Sequence, residues 1–231
     1  MRSLRSAYLA ELGIPVFRPR DSEQNVAQDE PVAPVADDTA SHLDWDALAR
    51  AVETCTRCAL HRTRQHTVFG VGSRKADLLV IGEAPGAEED RQGEPFVGRA
   101  GQLLTAMLRA IGLSRESVYI ANILKCRPPS NRDPLPKEAA ECTRYLRRQI
   151  ELIEPRVLLA LGRISGQWLT ASELPVGRLR GQILTPDAWN IPLVVSYHPA
   201  YLLRSPAAKA KAWEDLLLVK RLLEQPAVEA G

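Results

Sequence analysis

The sequence is most informative at first through what it has little of. No stretch of its 231 residues approaches the roughly 20 consecutive apolar side chains needed to span a bilayer. Residues 1–13 lack the unbroken apolar run of a secretion signal, so a cytoplasmic protein with no membrane association is expected. Net charge is nearly absent: 30 Lys+Arg against 28 Asp+Glu leave +2. Only 4 cysteines occur, which at this length excludes a small scaffold stapled by disulfides. Aromatic residues make up just 5 %, and no internal repeat is present. What is there is a 45 % hydrophobic content, enough for one domain of about 180 residues and an appendage.

The charge is unevenly placed. Residues 1–43 are acidic on balance and the remainder is mildly basic, with Lys125, Arg127, Arg132, Lys137, Arg144, Arg147 and Arg148 outnumbering three acids between positions 125 and 148. Such a cluster suits phosphates, although a solvated helix face has the same composition. From Arg18 to Ser41 the apolar side chains are only Val, Ala and Pro among acids, too little burial to repay ordering, so a disordered tether is expected. Ahead of it, Leu4, Tyr8 and Leu12 give residues 2–12 the pattern of a short helix with one apolar face, a possible protein-partner site within residues 1–13. The expected organisation is therefore an N-terminal extension over 1–43 and one domain over 44–231.

Beyond Asp44, short β-branched runs alternate with helical periodicity. Residues 77–81, 118–124, 156–161 and 193–197 read as buried strands. Stripes at Leu103, Leu104, Met107, Leu108 and Ile111, at Ala140, Tyr145, Leu146, Ile150 and Ile153, and at Trp213, Leu216, Leu217 and Leu223 read as helices. This alternation predicts an α/β fold, a three-layer α/β/α sandwich around a central four-stranded parallel sheet. Ligands in such folds sit at the carboxyl ends of the strands.

Cys55 and Cys58 form a C-x2-C pair, and Cys126 and Cys142 follow 15 residues apart. Four thiols in an intracellular chain suggest one soft-metal site, and both zinc and an iron-sulfur cluster accept four thiolates. The wide second gap leans toward the cluster. Cys126 and Cys142 as ordinary buried apolar residues is the competing explanation.

The turn Gly82-Glu83-Ala84-Pro85-Gly86 follows the first strand but has neither G-x-G-x-x-G nor a terminal Gly-Lys-Ser/Thr. The acids Glu88, Glu89 and Asp90 would repel a pyrophosphate, and they also suit a helix N-terminus. Asn122 sits at a polar position inside the strand 118–124, and His198 opens His198-Pro199-Ala200-Tyr201 just past the last strand. Either alone is as readily a satisfied core residue. Together with Glu83 they share an address, since all three fall at carboxyl ends of predicted parallel strands.

These motifs, with residues 89–101 (Glu89 to Gly101), residues 122–129 and Asn131-Arg132, resemble the family 4 uracil-DNA glycosylases over residues 44 to about 224, all four cysteines included in order. The resemblance implies a four-iron four-sulfur cluster on Cys55, Cys58, Cys126 and Cys142, and uracil in single- or double-stranded DNA as substrate. It implies that Phe96 stacks on the base and that the Asn122 carboxamide accepts from uracil N3–H while donating to O4, a polarity that cytosine reverses. A neutral His198 donates to O2 as the glycosidic bond breaks, helped by backbone of the turn around Gly82 and Ala84. Ala84 stands where family 1 enzymes carry an Asp, which fits a dissociative path. Glu83 is then expected to orient water or steady the sugar cation, Glu89 to crowd a thymine methyl, and Asn131 to bond one of these acids. Lys125, Arg127 and Arg132 are expected on DNA phosphates; Leu202 and Leu203 either wedge into the minor groove or begin the packed face of the last helix, and Arg204 reaches a phosphate. A monomer is expected. A crosslinking relative and a redox-responsive DNA-binding module stay open as alternatives, although the absence of His between 125 and 132 argues for turnover.

Overall fold

A computed structural model describes residues 40–226. The expected helix over 2–12 and the expected tether up to residue 39 lie outside the described residues. The packed body reaches back past residue 44: Ala40 is buried, and the Leu43 carbonyl accepts from Arg148 Nε at 2.8 Å.

The chain runs α1 (Trp45–Glu53), β1 (Val71–Gly72), β2 (Leu78–Gly82), α2 (Ala87–Gln92), α3 (Arg99–Ala110), β3 (Tyr119–Asn122), α4 (Pro136–Ile153), β4 (Val157–Leu161), α5 (Arg163–Thr170), α6 (Val176–Leu179), β5 (Ile183–Leu184), β6 (Leu193–Ser196), α7 (Pro199–Arg204) and α8 (Lys209–Glu224). Short 3-10 turns lie at Ala59–Arg62, Pro129–Asn131 and Pro206–Ala208. The sheet order is β1-β3-β2-β4-β6-β5. The four inner strands are parallel, as expected, and the two-residue edges β1 and β5 pair antiparallel. Those edges went unseen in the sequence because two residues show no periodicity.

Alternation along each strand splits the core in two. Leu79, Ile81, Ala121, Leu158, Ala160, Leu193 and Val195 face Leu48 and Val52 of α1 and Leu146, Ile150 and Ile153 of α4. Leu78, Val80, Ile120, Val157, Leu159, Leu161 and Val194 face Leu104 and Leu108 of α3 and Leu216 and Val219 of α8. The last stripe differs from expectation. Ala212, Leu216 and Val219 are buried, whereas Trp213 and Leu217 are exposed, because the buried face of α8 also carries Asp215. Asp215 accepts from Ser196 Oγ at 2.7 Å, from Gly181 N at 3.0 Å and from Arg180, which satisfies a fully buried carboxylate.

From β2 the chain passes first to β3 on one side and then to β4 on the other. The order therefore reverses at β2, and a crevice opens at the carboxyl ends of the strands. β3 ends at Asn122 rather than at Leu124, so Asn122 lies at the lip of that crevice, in register with Gly82.

Candidate active site

The crevice is a cleft of about 490 Å³ lined by Glu83, Glu89, Phe96, Asn122, His198 and Arg204 among others. The turn after β2, the end of β3 and the segment after β6 thus deliver the sequence-predicted residues to one place.

Asn122 is buried and its Oδ1 has no hydrogen-bond partner among the described residues. Such an orphan costs about 1–3 kcal/mol and calls for a donor from a ligand. Gly82 makes this arrangement possible. A Cβ there would collide with Asn122 Oδ1 and stand 2.7 Å from the Phe96 ring. Phe96 itself adopts a left-handed φ of 55°, strained for an aromatic residue. Two neighbours hold it. Arg115 Nη1 donates to the Phe96 carbonyl at 3.1 Å and Nη2 to the Pro95 carbonyl at 2.8 Å. Gly101 leaves room for the Phe96 carbonyl, which any side chain there would overlap.

The ring of Phe96 lies 29° from parallel to that of His198, with centroids 5.6 Å apart. His198 is the N-cap of α7, with Pro199 in the first turn behind it, and its Nδ1 accepts from Ala200 N at 3.1 Å. That bond assigns the proton of a neutral imidazole to Nε2. Burial, aided by the Arg204 charge and opposed by Glu89, lowers the His198 pKa to about 4. The ring is therefore neutral at physiological pH and Nε2–H is a donor.

The two acids expected to act here have different circumstances. Glu83 is half-buried; its carbonyl accepts from Leu124 N at 3.0 Å, while its carboxylate has no hydrogen bond or ion pair among the described residues, and burial first, then the nearby Asp133, raises its pKa, with Arg163 acting against them. Glu89 is fully engaged. Its Oε1 accepts from Val97 N at 3.0 Å and Gly98 N at 3.1 Å, and its Oε2 from Gly86 N at 3.1 Å. With Glu88 and Asp90 it fills the first turn of α2, so this carboxylate occupies the very amides that a phosphate would need. It lines the cleft while tying the Gly86 turn to the Phe96 loop.

Three expectations need correction. Lys125 does not reach DNA: it is 1 % exposed, with Nζ donating to Asn122 O at 3.0 Å, Gln149 Oε1 at 2.6 Å and Phe69 O at 3.2 Å. Leu202 is no wedge, because it packs in the core; Tyr201 and Leu203 are the exposed apolar side chains of α7. Asn131 bonds no acid, since its Oδ1 accepts from Arg127 Nε at 2.8 Å. Arg132 lines the cleft, held there by a bidentate pair with buried Glu138 at 2.6 and 2.8 Å that stitches the loop before α4. Arg204 also lines the cleft and is exposed, while Arg127 is half-buried next to the lining residue Pro128. Arg115 was missed by sequence reading, as its role depends on contacts about 20 residues away.

Cys55, Cys58, Cys126 and Cys142 line a second, smaller cavity. Two sulfurs already accept hydrogen bonds: Cys126 Sγ from Arg64 Nη1 and Cys142 Sγ from Lys125 N, both at 3.2 Å. Burial pushes the Cys142 thiol up to about 12 and raises Cys58 and Cys126, so a metal is what would draw off their protons. Among the described residues no three His, Cys, Asp or Glu side chains are grouped to hold one ion. The four cysteines nevertheless share the lining of one cavity, and thiolates are the ligands that both zinc and an iron-sulfur cluster take.

A family model described as the uracil DNA glycosylase superfamily matches residues 69–217. The type-4 uracil-DNA glycosylase of Archaeoglobus fulgidus is 43 % identical over 183 residues, covering 77 % of this chain and 92 % of that protein. The enzyme of the same name from Saccharolobus solfataricus is 43 % identical over 185 residues, covering 77 % and 86 %. That from Thermotoga maritima is 42 % identical over 163 residues, covering 69 % and 83 %. The cleft lies inside the span matched by the family model, as do Cys126 and Cys142, and the chain belongs to the uracil-DNA glycosylase superfamily, among the type-4 enzymes.

Proposed function

We propose that the protein is a monofunctional uracil-DNA glycosylase acting as a cytoplasmic monomer, hydrolysing the N-glycosidic bond of uracil in DNA to leave an abasic site for base-excision repair. The observation that carries the assignment of the cleft is the buried, unpartnered Oδ1 of Asn122 beside Phe96 and a neutral imidazole.

An everted uracil presents N3–H to Asn122 Oδ1, and the other end of the carboxamide donates to O4. Cytosine lacks that hydrogen and offers an amino group instead, so a fixed carboxamide rejects it. Phe96 supports the ring by stacking. As the bond to the sugar lengthens, negative charge gathers on O2, where His198 Nε2–H donates without a buried cation being formed. Backbone amides of the turn at Gly82 and Ala84 add to this stabilisation. Glu83, its carboxylate without a partner among the described residues, orients the attacking water or steadies the sugar cation. Glu89 acts as a positioning residue that keeps the Gly86 turn and the Phe96 loop together. Arg127 and Arg204 contact phosphates, and exposed Tyr201 and Leu203 meet the duplex where the base has left.

Cys55, Cys58, Cys126 and Cys142 hold a four-iron four-sulfur cluster in this reading, supported by their shared cavity and the N–H donors on two sulfurs. The cluster supplies crosslinks between α1, the end of β3 and α4.

A labelled oligonucleotide containing one uracil tests the reading. Incubation followed by alkali is expected to cleave the strand at that position, in single strands and in duplex. Intact strands from cluster-loaded protein would refute it, and an adduct surviving denaturation would point to a crosslinking relative.

A further inference from the structure

Lys125 has the composition of a surface residue and the environment of a core one. Three carbonyl-type acceptors from separate parts of the chain converge on its ammonium: Asn122 O at the end of β3, Gln149 Oε1 on α4 and Phe69 O ahead of β1. Its main chain is held as firmly, with N donating to Cys142 Sγ at 3.2 Å and O accepting from Val68 N at 2.8 Å. It also lines the cysteine cavity. A buried cation is costly unless it is hydrogen-bonded and faces negative charge, and a four-thiolate site supplies that charge. Gln149 completes the frame, its Nε2 donating to Phe69 O at 3.0 Å and to Tyr119 Oη at 3.3 Å.

One residue therefore has its backbone on a cysteine sulfur and its side chain on the carbonyl of the residue that aims an unsatisfied acceptor into the cleft. We propose that Lys125 is a positioning residue for uracil recognition, a strut that carries the order of the four-cysteine site to the Asn122 carboxamide. The proposal rests on reading the cleft as the uracil pocket. It differs from simple core filling in what it predicts: an apolar side chain of like shape would fill the volume yet leave Asn122 O unclamped.

The test uses Lys125→Met and Gln149→Leu in the full chain, reading the inhibition constant of free uracil, the affinity for product DNA bearing an abasic site, iron content and Tm. Lys125→Met is expected to weaken uracil inhibition about 10-fold, the scale of losing an outer support, while abasic-DNA affinity stays within about twofold and iron content matches wild type. Gln149→Leu, which leaves the lysine and all cysteines in place, should shift uracil inhibition the same way by less. A merely structural role would lower Tm without changing uracil inhibition relative to abasic-DNA affinity. Wild-type uracil inhibition in soluble variants, or uracil and abasic-DNA affinities falling in parallel, would overturn the proposal. Should Lys125→Met fail to fold, an unchanged inhibition constant in Gln149→Leu overturns it alone. A wild-type protein that releases no uracil sinks the reading of the cleft and this proposal with it; an active wild type whose variants behave identically sinks the proposal only.

Discussion

Asn122 and Cys126 stand four residues apart on one segment, yet the cavities they face are made differently. On the Asn122 side the cleft wall carries, among the described residues, an acceptor without a donor and a Glu83 carboxylate without a partner. On the Cys126 side the cavity is lined by four cysteines, and two of their sulfurs are already served by protein N–H groups. The difference is that between a site for a passing guest and one for a resident. A guest is chosen by groups left unsatisfied until it arrives, which makes each mismatch costly. A resident is kept by ligands that the fold itself holds in place.

Breaking the resident side should have the largest effect. Cys142→Ala is expected to abolish iron binding and to lower Tm more than any substitution in the cleft, as followed by iron assay and thermal melting. On the guest side, His198→Ala should reduce kcat by about 10²–10³-fold, the usual cost of one lost donor to a developing oxyanion, with iron content and Tm near wild type. Single-turnover release of uracil measures it. Gly82→Ala sharpens the contrast, since its methyl group displaces the Asn122 amide and the Phe96 ring together. A fall of about 100-fold in kcat/KM with retained iron absorbance is expected.

The smallest effect concerns pH. The folded-state pKa of His198 lies at about 4, below its ordinary 6.5. Its contribution to stability is therefore complete above the unfolded value and lost as pH falls toward about 4, because the unfolded chain takes up the proton first. Activity should be insensitive to this ring from neutral pH down to that region. An NMR titration of the imidazole with a midpoint near 6.5 would remove the neutral-donor role.

Much of this contrast was written in local sequence. Buried parallel strands are short apolar runs, so all four inner strands could be read, and their carboxyl ends marked Glu83, Asn122 and His198 for one crevice. The rest depends on contacts that no period records. Lys125 was read as a phosphate ligand because a lysine beside Arg127 resembles a basic patch; only the fold shows three carbonyl-type acceptors meeting around it. Leu202 and Leu203 are adjacent and chemically alike, and the pitch of α7 decides which one is buried. Glu89 lines the cleft as expected, but spacing alone does not show that its carboxylate is held by three amides, two of them eight and nine residues further along. Arg115 reaches back about 20 residues to hold Phe96, a distance at which sequence spacing carries no signal.

A crystal structure of the protein with uracil bound tests the central claim most directly. The account predicts uracil N3 at about 2.9 Å from Asn122 Oδ1 with O2 facing His198 Nε2 and the ring against Phe96. Uracil seated elsewhere, or seated here with Asn122 Oδ1 still lacking a donor, would contradict it.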